Sequence, residues 1–369
     1  MSCILAPVRS LFSFKGGSSS SSSSHNTKDR SQDLVARILK AHDVLIGLDD
    51  LSPGEVTNKT LGDLVALCCE SHDSATVKKV LANRRIAKIL PALRRISSES
   101  ECCLETYWSE RIVSASRDPE DALRLLQSFP YYQNYVELAR LELCALYAVE
   151  PLLPRRIAFV GSGPLPLTSM CLLRCLHHGS NSDEEDAQDN DNANNNCHRT
   201  LVDAFGARKK KDEDGGSSSA GDVDDDDDDD DDDLSNVEKL VPSVLNVDSN
   251  PAALAASEAL CEKLGVWSRG MTFQNSDAKL ASGLGGFDVV FLAALVGVSP
   301  REKEDIIISV ARRMKSGALM VVRSAHGLRT VLYPEVDLSG NRLRDVLQVE
   351  TITHPYGNVV NSVIIARVK

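Results

Sequence analysis

The chain has 369 residues, 42% hydrophobic and 25% charged, a composition typical of a globular protein of about two to three domains. Most of its formal net charge of −12 comes from an aspartate run at residues 222–233, and outside that run no basic stripe stands out. This charge distribution argues against a nucleic-acid-binding protein. No apolar run is long enough to cross a bilayer, so we predict no stable membrane insertion.

The first 30 residues are rich in serine and carry no acidic residue before Asp29. This composition is typical of an unstructured tail, and we predict disorder over residues 1–30. It is also typical of an organelle transit peptide, so an organelle location is an alternative to a cytoplasmic one.

Residues 31–150 have the apolar spacing of helices and are predicted to form an all-helical N-terminal domain. One helix is predicted over residues 97–116, where apolar side chains recur at every fourth position, at Leu104, Trp108 and Ile112.

The segment FPYYQNY at 129–135 holds three of the seven tyrosines of the chain. Pro130 ends the helix before it, because proline disfavours helix in the residue that precedes it. The tyrosines are therefore expected in a loop between two rigid elements, which is a common location for groups that face a cavity.

From residue 155 strands and helices alternate. RRIAFVGSGPLPLTSMCLLRCLHH indicates a buried strand, a glycine turn and a helix, and SVLNVDSNPAALAASEALCEKL repeats that form. The alternation predicts an α/β domain over 151–369, with a mostly parallel sheet and a terminal antiparallel hairpin. An acidic, Asn- and Ser-rich stretch at about 179–235 is predicted to be a disordered insert, since it has little to bury.

The glycine turn is the first candidate for a binding site. Gly161 and Gly163 allow a sharp turn and a close backbone approach at the carboxyl end of the first strand. Alone this GxG is a weak signal, because the third glycine of a dinucleotide fingerprint is missing. A tight turn without a ligand remains the alternative.

Two acidic residues strengthen that interpretation. Asp248 ends the second strand, where a carboxylate can accept both ribose hydroxyls, and Asp277 follows the third strand, where an adenine amino group can be recognised. A helix N-cap role for Asp248 and a surface turn for Asp277 are the alternatives. Together with the glycine turn, the two acids suggest an S-adenosylmethionine site on a Rossmann-like sheet of the class I methyltransferase type.

Six segments, taken in order, resemble nicotianamine synthase: FPYYQNYVELARLE, RIAFVGSGPLPLTS, NVDSNPAA, AALVG, GALMVVRSAHGLRTVLYP and VVNSVIIARVK. The resemblance covers about residues 31–178 and 236–369. One departure is HPYGNV at 354–359, where higher-plant members usually have a stretch like HPTDEV.

The resemblance implies an enzyme that joins three S-adenosylmethionine molecules by aminopropyl transfer. It would release three methylthioadenosines and form nicotianamine, a chelator of iron and other metals. S-Adenosylmethionine would be the substrate, no metal would be required, and a carboxylate would take a proton from the attacking ammonium. The catalytic glutamate of the family matches best to Glu105, with Glu110 as the alternative, and nearby Glu101 is expected to raise the pKa of Glu105.

The resemblance and the strand ends together give a set of site residues. Roles in binding S-adenosylmethionine are assigned to Gly161, Ser162, Gly163, Pro164, Asp248, Asp277 and Ala294.

Catalytic and substrate-binding roles follow from the same two sources. Tyr131 joins Glu105 as catalytic, because an aromatic face can hold a sulfonium, whereas Tyr135 is expected to be packed. Tyr132, Arg323 and His326 are assigned to substrate, Arg323 by a fork that suits a carboxylate. A purely structural hydrogen bond is the alternative for His326.

Other interpretations stay open at this stage. A methyltransferase acting on a small-molecule acceptor would share the same sheet. A non-enzymatic metal-buffering protein could be built on the aspartate run. Tyr135 begins YVEL, a tyrosine-based sorting pattern that would make the protein vesicle-associated. The oligomeric state is not determined by the sequence.

Overall fold

The structure is a computed structural model and describes residues 23–151, 154–178, 242–355 and 357–369. The predicted disordered tail up to residue 22 and the acidic insert at 179–235 lie outside the described residues. The helices before the sheet are α1 (Ser23–Leu45), α2 (Glu55–Cys69), α3 (Ser74–Leu81), α4 (Arg84–Ala115), α5 (Pro119–Gln127) and α6 (Tyr132–Tyr147). Those that follow the first strand are α7 (Leu167–His178), α8 (Pro251–Leu264), α9 (Pro300–Ala311) and α10 (Asn341–Arg344).

Seven strands of the described residues form one sheet in the order β3-β2-β1-β4-β5-β7-β6. They are β1 (Arg156–Val160), β2 (Ser243–Asp248), β3 (Met271–Asn275), β4 (Val289–Leu292), β5 (Leu319–Ser324), β6 (Leu347–Thr353) and β7 (Ser362–Val368). β1 to β5 pair in parallel, whereas β7 is antiparallel to both β5 and β6. The predicted Rossmann-like, mostly parallel sheet with a terminal antiparallel hairpin is confirmed.

Three of the helices begin with the same local signal, a capping side chain followed by proline. Asp118, Asn250 and Ser299 each accept a hydrogen bond from a backbone N–H in the first turn of α5, α8 and α9. The proline that follows has no N–H of its own to satisfy and already has a helical φ. These starts were readable from the sequence because they depend on neighbouring residues alone.

Helix α4 begins at Arg84, well before the start predicted at residue 97. Pro91 lies inside it, although an internal proline removes a backbone hydrogen bond of the helix. The side chains of Ile86 and Leu93 are both 0% exposed, and they pack with α1, α2 and α3. Tertiary burial therefore outweighs the local cost of an internal proline.

The sheet is covered on both faces. Ile306, Ile307 and Val310 of α9 pack on one face, and the apolar sides of α6 and α7 pack on the other. Because α6 shares a core with the sheet, the predicted boundary at 151 separates elements that pack together. Helix α1 begins at Ser23, ahead of the helical start predicted at residue 31. Within the described residues, no helix is both long and apolar enough to cross a membrane.

A buried ion pair joins α6 to the central sheet. Arg323 of β5 donates from Nε and Nη2 to the two carboxylate oxygens of Glu142, at 2.7 and 3.0 Å, and Nη2 also donates to Thr168 Oγ1 at 2.8 Å. The Glu142 side chain is 0% exposed and that of Arg323 is 8% exposed. The guanidinium also lies over the Phe159 ring. This pair fixes α6 against the strand ends that carry the cleft described below.

Glu142→Gln is expected to destabilise the fold by about 3–5 kcal/mol, because it leaves the Arg323 cation buried without a counterion. Adding Arg323→Met to that variant removes the unpaired charge and should recover part of the loss. Urea denaturation of the single and double variants measures both effects. A single variant as stable as the wild type would show that the pair is not what joins α6 to β5.

Candidate active site

A cleft of about 450 Å³ lies at the carboxyl ends of the parallel strands. It opens where β1 has β2 on one side and β4 on the other, which is the switch point at which open α/β sheets bind ligands. Helix α4 contributes its wall opposite the sheet. All seven residues predicted to bind S-adenosylmethionine line this cleft, namely Gly161, Ser162, Gly163, Pro164, Asp248, Asp277 and Ala294.

Both glycines of the first turn have positive φ, +84° at Gly161 and +68° at Gly163. A Cβ at Gly161 would lie 2.3 Å from Val296 Cγ2, and one at Gly163 would lie 2.6 Å from Glu105 Oε2. Side chains are therefore excluded at both positions by backbone conformation and by space. The turn also brings the Glu105 carboxylate directly against the backbone of Gly163.

The two acidic residues hold this half of the cleft in place. Asp248 accepts hydrogen bonds from the backbone N–H groups of Gly163 and Asn250, one on each carboxylate oxygen and both at 2.9 Å. The N-cap of α8 is Asn250. The helix-capping role that was the alternative for Asp248 is therefore filled by a residue two positions further on. Asp277 accepts from the backbone N–H of Lys279 at 2.7 Å. Each carboxylate oxygen has more than one lone pair and can accept a further bond.

Lys303 of α9 holds the loop after β4 in place. It was not among the functional residues predicted from the sequence. Its buried Nζ donates to the carbonyls of Ala293, Ala294 and Val296, at 2.9, 2.8 and 3.3 Å. Burial, and then the positive charge of Arg323, lower the pKa of Lys303 to about 7. A sequence signal existed, because Lys303 falls on the same helical face as Ile306, Ile307 and Val310.

The other half of the cleft holds two carboxyl groups bridged by a phenol. The Tyr135 hydroxyl donates to Glu105 Oε1 at 2.5 Å and lies 3.2 Å from Glu101 Oε1. The Tyr333 hydroxyl donates to Glu101 Oε2 at 3.3 Å. Because one hydroxyl proton cannot serve two carboxylates at once, Tyr135 couples the two glutamates.

The electrostatics of this pair follow from its burial. Burial, the charge of Glu101 and then that of Asp248 raise the pKa of Glu105 well above its ordinary range, while the hydrogen bond from Tyr135 opposes the rise. The pKa of Glu101 is raised by burial and lowered in part by the two tyrosine hydroxyls and by Arg323. The predicted effect of Glu101 on the pKa of Glu105 agrees with this arrangement. Glu110, the alternative to Glu105, is exposed on the outer face of α4.

Five expectations about side chains are corrected by the geometry. Tyr131 does not line the cleft but stacks edge-on to Phe129, whereas Tyr135, expected to be packed, enters it. Helix α6 begins at Tyr132, so its first turn, rather than a loop, points Tyr135 at α4. The Tyr132 hydroxyl lies 3.2 Å from the Arg174 guanidinium, away from the cleft.

The other two corrections concern the segment after β5. Arg323 does line the cleft, but its fork is occupied by Glu142 rather than open to a substrate carboxylate. His326 stacks on His354 at 4.1 Å between ring centroids, and its side chain is 59% exposed. His326 is not among the residues that line the cleft.

The YVEL pattern lies inside α6, with the Tyr135 hydroxyl on Glu105 and Leu138 only 6% exposed. The fold therefore does not present it as an extended surface segment. In the described part of the chain, no group of three or more His, Cys, Asp or Glu residues could hold a metal ion.

Comparison with known proteins gives a consistent result. A family model described as nicotianamine synthase protein matches residues 27–369. The protein named nicotianamine synthase 2 from Oryza sativa subsp. japonica is 32% identical over 336 residues, which are 90% of this chain and 82% of that protein. The nicotianamine synthase of Solanum lycopersicum is 30% identical over 344 residues, which are 91% of this chain and 84% of that protein.

A solved structure of a mutant of MtNAS in complex with S-adenosylmethionine has the same fold. It matches with a TM-score of 0.60 at 18% identity, over 90% of this chain and 97% of the other.

Glu105→Gln is expected to stabilise the fold at pH 8, by on the order of 1 kcal/mol. Between the ordinary pKa of 4.5 and its raised value, the folded protein keeps a proton on Glu105 that the unfolded chain releases, so ionisation lowers stability as the pH rises. Glutamine removes that loss and still accepts the Tyr135 hydrogen bond. The gain should shrink as the pH falls toward 4.5, where the glutamate is neutral in both states.

Urea unfolding of both proteins at pH 5 and pH 8 measures this difference, with Glu110→Gln on the exposed face of α4 as the matched control. A gain of equal size at both pH values would contradict the proposed origin of the effect.

Proposed function

The chain belongs to the nicotianamine synthase family, and from that premise we propose that its cleft joins three S-adenosylmethionine molecules into nicotianamine. Family membership favours aminopropyl transfer over the methyltransferase alternative. One observation carries the mechanism: a buried carboxylate, Glu105, touches the glycine turn and is bridged by Tyr135 to a second carboxyl group.

The sheet side of the cleft suits the adenosyl group. Asp248 has lone pairs left for the two ribose hydroxyls after accepting its two backbone hydrogen bonds. Asp277, after β3, also lines the cleft, and its carboxylate can accept a hydrogen bond from an adenine amino group. Ser162 Oγ is buried at the turn with no partner among the described residues, so a bound substrate would supply one. The sulfonium would then lie over the turn, within reach of Glu105.

The reaction needs a nucleophile, a leaving group and a proton acceptor. Two transfers join the three molecules, each by an N–C bond from the amine of one molecule to the methylene beside the sulfonium of another. The third methylthioadenosine leaves when a third N–C bond forms within the joined product. In each step the C–S bond breaks, and its electron pair stays on sulfur as neutral methylthioadenosine. The nitrogen can attack only after its ammonium has lost a proton, and Glu105 accepts that proton. Its raised pKa brings it closer to that of an amine and makes it a better base.

The charge of the cleft suits this substrate. Glu101, Glu105, Asp248 and Asp277 all line it, and S-adenosylmethionine carries a sulfonium and an ammonium. Opposite charges attract strongly in a partly desolvated cleft. Tyr135 and Tyr333 hold the glutamates without adding a cation, and the pKa of Glu105 stays raised although the hydrogen bond from Tyr135 lowers it in part.

We also propose a cytoplasmic location. The described cysteines form no disulfide, which suits a reducing compartment.

The function is tested by incubating the purified protein with S-adenosylmethionine alone and analysing the products by mass spectrometry. Nicotianamine and methylthioadenosine in a 1:3 ratio are expected without any added acceptor. Glu105→Gln should lower turnover by at least about a hundredfold, the scale of a lost general base, while methylthioadenosine binding survives. Glu110→Gln is the matched control and should turn over like the wild type.

Dependence on an added acceptor would favour the methyltransferase alternative. Near-normal turnover in Glu105→Gln would remove this residue from the mechanism.

The two tyrosines are distinguished by a second pair of variants. Tyr135→Phe is expected to lower turnover by about tenfold or more, since it removes the hydroxyl that orients Glu105 and couples it to Glu101. Tyr131→Phe keeps the edge-on ring contact with Phe129 and should stay within about twofold of the wild type. Steady-state methylthioadenosine release measures both rates. The reverse order of effects would restore Tyr131 to the site.

A further inference from the structure

Asn361 is a buried polar residue of the cleft that the mechanism above does not use. Its side chain lines the cleft, the residue is 8% exposed, and its Nδ2 has no hydrogen-bond partner among the described residues. Leaving a buried amide donor unpaired costs about 1–3 kcal/mol, so such groups usually have a partner when the protein works.

The position of Asn361 is fixed by the sheet. It immediately precedes β7, where Ser362 pairs with Ser324 at the carboxyl end of β5. In the strand order, β5 and β7 lie on the opposite side of β1 from β2 and β3, which carry Asp248 and Asp277. Asn361 therefore lies away from the adenosyl half of the cleft, on the side of Arg323 and Tyr333.

The guanidinium and phenol donors on that side already have partners. Arg323 donates to Glu142 and Thr168, the Tyr135 hydroxyl to Glu105, and the Tyr333 hydroxyl to Glu101. Arg323 is also the one Lys or Arg among the described residues that line the cleft.

No charged group is thus left over to receive a carboxylate, yet every substrate molecule of the proposed reaction carries one beside its amine. A carboxylate is the strongest acceptor that the substrate offers to an amide N–H.

We infer that Asn361 receives the α-carboxylate of the attacking molecule and so turns its amine toward Glu105. This inference rests on the proposed function, because it assigns a subsite to the same reaction. A neutral donor suits this position, because it binds a carboxylate without adding a positive charge near the sulfonium. Asn361 acts here as a substrate-binding residue and takes no part in the proton transfer.

The test compares S-adenosylmethionine with decarboxylated S-adenosylmethionine, which keeps the amine and the sulfonium but lacks the carboxylate. In Asn361→Ala, the KM for S-adenosylmethionine should rise about tenfold to a hundredfold, the effect of losing one hydrogen bond to a charged group. The inhibition constant of the decarboxylated compound and the Kd of methylthioadenosine should stay unchanged. Asn361→Asp, which places an anion at the subsite, should be impaired at least as strongly.

Asn341→Asp adds the same charge on exposed α10 and is the matched control, expected to behave as wild type. An unchanged KM in Asn361→Ala would overturn the inference. A parallel loss of affinity for both compounds would also overturn it, since that indicates a structural role. If the alanine variant no longer binds methylthioadenosine, the nearly isosteric Asn361→Asp replaces it in the test. Its KM for S-adenosylmethionine should then rise relative to the inhibition constant of the decarboxylated compound.

A wild-type protein that releases no methylthioadenosine would refute the proposed function. The subsite would then be tested separately, by calorimetric binding of the two compounds to the wild type and to Asn361→Ala.

Discussion

The cleft depends on one unfavourable arrangement, in which the buried carboxyl group of Glu105 lies beside that of Glu101. Burial and mutual repulsion both favour a proton on the pair, and the hydrogen bond from Tyr135 offsets part of that effect. Several other features follow from this constraint. Position 163 favours glycine because its φ is +68° and because the Glu105 carboxylate lies where a Cβ would be. Helix α6 must start at Tyr132 so that its first turn points Tyr135 at α4.

The Arg323–Glu142 pair shows how the fold keeps Glu105 basic. A guanidinium free to bind Glu105 would lower its pKa strongly, because a nearby opposite charge favours the ionised form. Glu142 occupies the fork of Arg323 instead, and the charge of Arg323 is only the last of the effects that oppose the raised pKa of Glu105. Lys303 lies close by, and its pKa is lowered to about 7. The cleft therefore remains acidic, although two basic residues lie at its base.

The site features that were predicted correctly from the sequence depend on local or periodic information. The glycine turn follows β1, Asp248 ends β2 and Asp277 follows β3, and parallel strands bring their carboxyl ends to one edge whatever the packing details. Glu105 was found by resemblance, since helical phase alone does not distinguish it from an exposed glutamate. The errors concern side chains whose direction is set by tertiary contacts. Tyr131 lies just before α6 and Tyr135 lies in its first turn, so only the true start of α6 decides which of them faces α4. The partner of Arg323 lies 181 positions away, beyond the reach of any local pattern.

The same electrostatic argument explains why a carboxylate-binding group in this cleft should be neutral. An arginine at position 361 would bind a carboxylate more tightly than asparagine does. It would also lower the pKa of Glu105 and repel the sulfonium, and both effects oppose the transfer. A neutral amide provides a weaker bond but leaves the base and the leaving group undisturbed. Because each of the three N–C bond-forming steps needs a base and consumes one sulfonium, any loss from a misplaced cation would recur at every step. Neutral donors for the carboxylate and acidic groups for the cations are therefore the combination that this reaction favours.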